Sequence, residues 1–224
     1  GFSQILSHEL LSIPKNGTIN QHAGKLPEYR GGSPLNWQII NGETKIFISI
    51  IKMDSGIDTG PLIYEASFNL RSDEDISDAH RKANELFAEL TIKTIRSFED
   101  GSIIFSNQTN SKAVYWHQRN DHDGLIQWDR MSATKVFNMI RALNNPYPGA
   151  FSFRGKDKVK IYRASIPDLS VKGVPGRVCY IQGTGPYVMC SDRALLLDKY
   201  IIENEFQNNA DEPRLRRGDQ LNSH

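Results

Sequence analysis

The chain has 224 residues, 38% of them hydrophobic, and a formal net charge of +1. That length admits one large domain or two small ones, and the balanced charge argues against a broad nucleic-acid footprint, which needs a clustered basic face. No apolar run approaches the roughly 18 residues of a membrane span, and Gly1-Phe2-Ser3-Gln4-Ile5-Leu6 lacks the basic start and long apolar stretch of a secretory signal.

Residues 1–6 read as the end of a central strand. Residues 7–13 read as a short helix stopped by Pro14. A strand is expected at 18–22, a loop marked by Pro27 and a glycine pair at 26–32, and a helix at 34–41. Residues 46–53 form an almost continuous apolar run, the pattern of a strand buried on both faces of an open parallel sheet. A further strand follows at 61–70. Ser72-Asp73-Glu74-Asp75 resembles a capping box ahead of a helix with Ala79, Ala83, Leu86 and Leu90 at helical spacing, ended near Phe98 by Asp100-Gly101. Residues 106–130 are polar and irregular, with Tyr115, Trp116 and Trp128 as packing anchors or stacking surfaces. A helix is expected at 132–144, broken by Asn145-Pro146-Tyr147-Pro148-Gly149. Short strands then follow: Val159 and Ile161 alternate with lysines, with further strands at 177–181, 187–190 and 194–202. They predict a small barrel or sandwich. The basic tail 214–219 reads as solvated.

Chemistry concentrates in two glycine-bracketed segments. Asn20 and His22 are two apart in a predicted strand, so their side chains share a face. Asp54-Ser55-Gly56-Ile57-Asp58-Thr59-Gly60 follows the next strand and delivers a carboxylate from its loop. An amide donor, an imidazole and a carboxylate suit acyl transfer to an amine. The other histidines, His8, His80, His117, His122 and His224, have no ligand spacing, and no phosphate loop of the P-loop or GxGxxG type is present. No metal is expected. Cys179 and Cys190 read as buried free thiols of a reducing compartment.

The string N-x-H-x-x-x-L-P-x-Y-R-G over residues 20–31, with D-x-G-x-D-T-G at 54–60, resembles the formyltransferases that use 10-formyltetrahydrofolate. Tyr29-Arg30-Gly31-Gly32-Ser33-Pro34-Leu35-Asn36-Trp37, Asn41-Gly42-Glu43 and Asn145-Pro146-Tyr147-Pro148-Gly149-Ala150-Phe151-Ser152 lean towards its amino-sugar branch, typified by UDP-4-amino-4-deoxy-L-arabinose formyltransferase. Gly32 departs from that branch, whose matching loop carries an arginine.

The resemblance implies an α/β fold. A Rossmann-like catalytic domain whose N-terminal part is missing from this chain is followed by a small C-terminal β-barrel of OB-like type. The expected divisions are 1–105, a connecting segment and helix at 106–145, and a β-rich domain at 146–224. Without its first strands the isolated chain is expected to be poorly stable. Formyl transfer to an amine passes through a tetrahedral intermediate with a developing oxyanion. The resemblance assigns the oxyanion donor to Asn20, proton exchange to His22, and orientation of His22 with elevation of its pKa to Asp58. It assigns Gly24, Lys25, Leu26, Pro27, Asp54, Ser55, Gly56 and Ile57 to the folate pocket. Gly56 and Gly60 would allow close approach of the loop to the pterin. Arg30 and Arg141 would face a nucleotide diphosphate.

The expected reaction moves a formyl group from 10-formyltetrahydrofolate, without a metal, to the amine of a nucleotide-linked deoxyamino sugar destined for lipopolysaccharide or O-antigen. The expected enzyme is cytoplasmic, with no nucleic-acid or membrane partner and a homodimer as a permitted assembly. Two alternatives stand beside it: methionyl-tRNA formyltransferase, and a non-catalytic fragment without a complete folate site.

Overall fold

The computed structural model describes residues 6–203 and 214–222. The strand end expected at residues 1–5 lies outside them. The chain forms two compact units. One comprises the described residues up to Ile39 together with Glu43–Arg119; the other comprises Ile40–Gly42 together with the described residues from Asn120 onwards.

The first unit begins with α1 (His8–Ser12), whose N-cap Ser7 accepts a hydrogen bond from the Leu10 amide. Then come β1 (Ile19–His22), β2 (Arg30–Gly31), α2 (Pro34–Ile40), β3 (Lys45–Lys52), β4 (Leu62–Asn69), α3 (Ile76–Glu99) and β5 (Tyr115–Trp116). β3 is central in the order β1-β3-β4 and runs antiparallel to both neighbours. The expected parallel sheet is therefore not what the described residues form. In this unit the parallel ladder is the two-residue one between β2 and β5. Burial on both faces does not fix strand direction: Ile46, Ile48, Ile50, Ile51 and Ser49 are all buried, yet only a short loop separates β3 from β4, and a short connection requires antiparallel neighbours.

α3 starts in a capping box, in which Asp75 accepts from the Ser77 amide at 2.9 Å and Asp78 accepts from the Asp75 amide at 3.3 Å. It lays Ala83 and Phe87 on Ile48, Ile50 and Ile63, closing one face of the sheet. On α2, Gln38 is buried and bonds both the amide and the carbonyl of Phe47 as well as the Ala23 carbonyl. That single amide ties α2 to β3 and to the end of β1.

The second unit contains α4 (Ala133–Ala142), β6 (Ala150–Arg154), β7 (Asp157–Ser165), β8 (Val178–Ile181), β9 (Thr184–Met189) and β10 (Ala194–Glu203). The strands form one antiparallel sheet in the order β6-β7-β10-β9-β8. Val159 and Ile161 of β7 are buried, while Lys158 and Lys160 alternate outwards. Val171, Tyr187, Met189 and Ala194 form a core cluster. β6 is an element the sequence pattern did not announce.

Among the described residues no ladder joins β6 to β8, so they show an antiparallel β sheet and no closed barrel, and the OB-like form of the expected barrel is not established by them. Instead Asn222 bridges to Phe153 and Gln220 to Arg177, one contact at each edge of the sheet. The tail is solvated only in part: residues 214 and 216–218 are exposed as expected, but Leu215 is buried, Asp219 accepts from the Arg216 amide at 2.8 Å, and the Asp219 carbonyl accepts from the Val178 amide at 2.9 Å. Alternating arginines keep their charge outside while the tail covers edges that would otherwise stand open.

Candidate active site

β1 lies against β3 with Asn20 opposite Ile51 and His22 opposite Ser49. Gln21, between them, points the other way and donates to Thr91 Oγ1 of α3 at 2.7 Å. Asn20 and His22 therefore occupy the face turned from α3. β3 ends at Lys52, opposite Ile19, so the following loop emerges beside the same stretch of β1 and carries Asp58 to it.

There the three side chains meet. Asn20 Nδ2 is 3.4 Å from Asp58 Oδ1, and His22 Nδ1 is 3.5 Å from the same oxygen. Asp58 Oδ2 accepts from the Gly31 amide at 2.8 Å. His22 Nε2 lies 2.6 Å from the Tyr29 carbonyl. A carbonyl can only accept, so Nε2 carries the hydrogen, and Nδ1 is the nitrogen that gains or loses a proton, facing Asp58. His22 is buried, and burial holds its pKa below the ordinary histidine value; the charge of Asp58 and the Tyr29 carbonyl pull the other way. Asp58 does pull the imidazole pKa upwards, as expected, but desolvation outweighs the carboxylate and the net shift is downward.

The loop around Asp58 is built from within. Asp54 Oδ1 accepts from the Gly56 amide at 3.0 Å and from Thr59 Oγ1 at 2.6 Å. A Cβ on Gly56 would run into Thr59 Oγ1, and one on Gly60 into the Lys52 carbonyl. These glycines serve the loop's own packing. The left-handed backbone falls on Asp58 itself, with φ 53°. Gln108 Nε2 donates to the Asp58 carbonyl at 2.8 Å and to the Gly60 carbonyl at 2.7 Å.

The other expected site residues divide by position. Gly24 adjoins the imidazole: a Cβ there would come within 2.7 Å of His22 Nε2, and its carbonyl accepts from Ser49 Oγ at 2.8 Å. Lys25 pairs with Glu28 at 3.3 Å and sits over the Phe47 ring. Leu26 is buried, and the Pro27 carbonyl accepts from the Val114 amide. Asp54, Ser55, Gly56 and Ile57 are exposed and lead directly into Asp58, with the Ile57 side chain 48% exposed.

Arg30 is not at this cluster. It is buried, and its guanidinium donates to Gln108 Oε1, Asn110 Oδ1 and the Tyr115 hydroxyl. Arg141 belongs to the second unit, where it donates to Asn138 Oδ1 at 3.2 Å and lies over Phe137. Trp116 stacks on Tyr29, meets Trp37 at a tilt and donates to the Glu28 carbonyl, and the buried Trp128 donates to Ser152. Both are packing anchors. Among the described residues no group of three or more His, Cys, Asp or Glu is placed to hold a metal. Cys179 and Cys190 are free, and burial pushes the Cys190 thiol up to about 12. Gly31 and Gln108 are the contributors that pattern reasoning did not assign to the site: Gly31 acts through its backbone amide, and the Gln108 side chain acts on backbone carbonyls.

Residues 1–95 match the family model for formyl transferase, and residues 119–212 match that for the formyl transferase C-terminal domain. The chain belongs to the formyltransferase family. It is 36% identical over 204 residues to methionyl-tRNA formyltransferase of Citrifermentans bemidjiense, covering 91% of this chain and 63% of that protein. It is thus shorter than that relative by about a third. Methionyl-tRNA formyltransferase from Clostridium thermocellum shares the fold with a TM-score of 0.60 at 28% identity, over 75% of this chain and 70% of that one. An N-formyltransferase from Helicobacter canadensis, solved with folinic acid and dTDP-3-aminofucose, superposes with a TM-score of 0.69 at 20% identity, over 88% and 70% of the two chains. At that identity the likeness is one of fold.

These relatives overturn the amino-sugar assignment. Further curated relatives between 33% and 37% identical are also named methionyl-tRNA formyltransferase, so the expected sugar-nucleotide partner and the exclusion of nucleic acid do not stand. The strings read as branch-specific report shared architecture instead. Arg30, Leu35 and Asn36 are buried, Trp37 donates to the His117 carbonyl, and Gly31 is pressed against the Trp116 carbonyl. Net charge misled for a different reason: a total of +1 says nothing about how arginines are distributed.

Proposed function

We propose that this chain carries the transfer site of a 10-formyltetrahydrofolate-dependent formyltransferase acting on the amino group of methionyl-tRNA. The observation that carries the reading is the meeting of Asn20, His22 and Asp58, in a chain whose relatives are named for that reaction. Bound 10-formyltetrahydrofolate would supply the formyl group. The residues present fit it: exposed Ile57 offers an apolar surface immediately beside Asp58, and Asn20 keeps one amide hydrogen beyond its long contact to Asp58.

Asn20 directs that remaining N–H at the oxygen that gains charge as the amine adds, and a neutral donor needs no counter-charge to do so. His22 Nδ1 and the Asp58 carboxylate face each other and form a pair that accepts the amine's proton and returns it to the departing nitrogen. The buried Nε2–H bond to Tyr29 keeps the ring from turning during that exchange. Asp58 in turn is fixed by Gly31.

The test is incubation of the purified protein with 10-formyltetrahydrofolate and methionyl-tRNA, followed by mass spectrometry of the released aminoacyl group. Formylmethionine is the expected product. Formylation of amino-sugar nucleotides but not of methionyl-tRNA would overturn the reading.

A further inference from the structure

We infer that Gln108 is a positioning residue for Asp58, holding the left-handed turn that places the carboxylate between Asn20 and His22. The contacts to be held are long, 3.4 and 3.5 Å, so a small movement of the loop breaks both. Asp58 adopts φ 53° without being glycine, a conformation that survives only when its surroundings enforce it. Gln108 enforces it from outside the loop. Its Nε2 spends both hydrogens on the loop, one on the Asp58 carbonyl and one on that of Gly60. Its Oε1 accepts from Arg30 Nε at 3.1 Å and Nη2 at 2.8 Å.

Every hydrogen-bonding position of this primary amide is therefore used, which fixes its orientation. Flipping it would set NH2 against a guanidinium and oxygen against two carbonyls. Arg30 is itself anchored by Asn110 and Tyr115, and its amide donates to the Val114 carbonyl. The residue after Arg30 is Gly31, whose amide holds the other end of Asp58. Backbone and carboxylate of Asp58 are thus clamped from two sides, both tied to Arg30. Gln108 touches none of Asn20, His22 and the Asp58 carboxylate among the contacts described, so its part is to position rather than to react.

The test uses Gln108→Glu and Gln108→Ala in the whole protein. Glutamate keeps oxygen acceptors for Arg30 but cannot donate to the two carbonyls. The first readout is the His22 ring titration by NMR on histidine-labelled protein, without substrate; Asp58 is the charged side chain facing that ring. If Gln108 positions Asp58, the His22 midpoint falls in Gln108→Glu, because the carboxylate has moved away. The added negative charge would by itself move the midpoint upwards, so the sign separates the two causes. The second readout rests on the formyl-transfer reading: kcat should fall about 10-fold or more with KM little changed, as expected when a reacting group is misplaced. An unchanged midpoint and kcat in Gln108→Glu, with losses confined to Gln108→Ala, would overturn the proposal and leave Gln108 as a partner of Arg30. A lowered midpoint in a protein that never formylates methionyl-tRNA would support the positioning role while sinking the proposed function. If Gln108→Glu does not fold, the same titration of Gln108→Ala decides, with an unchanged midpoint counting against the role.

Discussion

Around Asp58 the first unit buries an imidazole, a guanidinium, a serine hydroxyl and a glutamine, each with a named partner: His22 on Tyr29, Arg30 on Gln108, Ser49 on Gly24, Gln38 on Phe47. The five-stranded sheet of the second unit buries Val159, Ile161, Val188, Leu195 and Ile202, and turns Lys158 and Lys160 outwards. Both regions contain strands with fully buried side chains. They differ in what the burial accomplishes. Aliphatic burial stabilises and little else. Polar burial stabilises little on balance but fixes orientation, because an unpaired buried group is expensive. The difference predicts where a substitution should damage turnover and where it should damage stability.

The sharpest test is Asn20→Ala. Loss of a single oxyanion donor costs about 10²–10³ in kcat, roughly 3–4 kcal/mol of barrier. Asn20 makes one long side-chain contact, so stability should change little. Single-turnover formyl transfer together with a melting curve checks both halves. Turnover that survives the substitution would make Asn20 a structural residue and dissolve the contrast at its strongest point.

Leu195→Ala is the mirror image. Leu195 is fully buried in β10, and its truncation should cost about 2–5 kcal/mol of stability. Denaturant titration measures it. The rate per folded molecule should stay at the wild-type value; a lowered rate with an unchanged melting point would show that the sheet communicates with the site.

A third test concerns pH. Burial holds the His22 pKa below its unfolded value of 6.5. As pH falls through the ordinary histidine range, the unfolded chain takes up the proton first. The unfolded state then binds more protons, so stability falls with falling pH, from just above 6.5 down to the folded pKa. His22→Gln keeps an N–H for the Tyr29 carbonyl but cannot titrate. Urea midpoints between about pH 7.5 and about pH 5 should drop more steeply for the wild type than for His22→Gln. Parallel slopes would mean that His22 takes up its proton as readily folded as unfolded.

The same contrast explains how much was legible in the sequence. Strand period put Asn20 and His22 on one face, and the motif resemblance at 20–31 and 54–60 is what singled them out together with Asp58. Apart from the short strands β2 and β5 and from β6, the elements follow caps, prolines and alternation closely. The direction of β3 was not legible, since an apolar run looks the same in either sheet. The closing contacts of residues 215–222 were hidden by the arginines around Leu215. Gln108 gave no signal because it lies in an irregular stretch and its contacts to the Asp58 loop go to main-chain carbonyls, which carry no side-chain pattern. The sugar-nucleotide reading failed because the strings flanking Asn20, His22 and Asp58 build the frame around them and are blind to the partner.

The smallest effect expected is at the start of α4, where a visible and an invisible cap meet. A helix N-terminus leaves its first N–H groups without internal partners. Ser132 accepts from the Lys135 amide at 3.2 Å, a cap that can be read from the residues beside it. Asp192, at the turn between β9 and β10, accepts from the Ala133 amide at 2.8 Å, and nothing in the local sequence announces it. Ser132→Ala should cost about 1 kcal/mol or less, since one N–H is released while the aspartate still holds the first turn. Asp192→Ala should cost a similar amount, with a favourable charge at the positive helix end also lost. Because the two caps serve the same first turn, where effects couple, the double variant should depart from the sum by about 0.5 kcal/mol or more. A double variant markedly worse than the sum would show that each cap covers for the other, and that α4 is held by a shared N-terminal network. In either case kcat should remain at the wild-type value, because neither cap is among the groups that hold Asn20, His22 or Asp58.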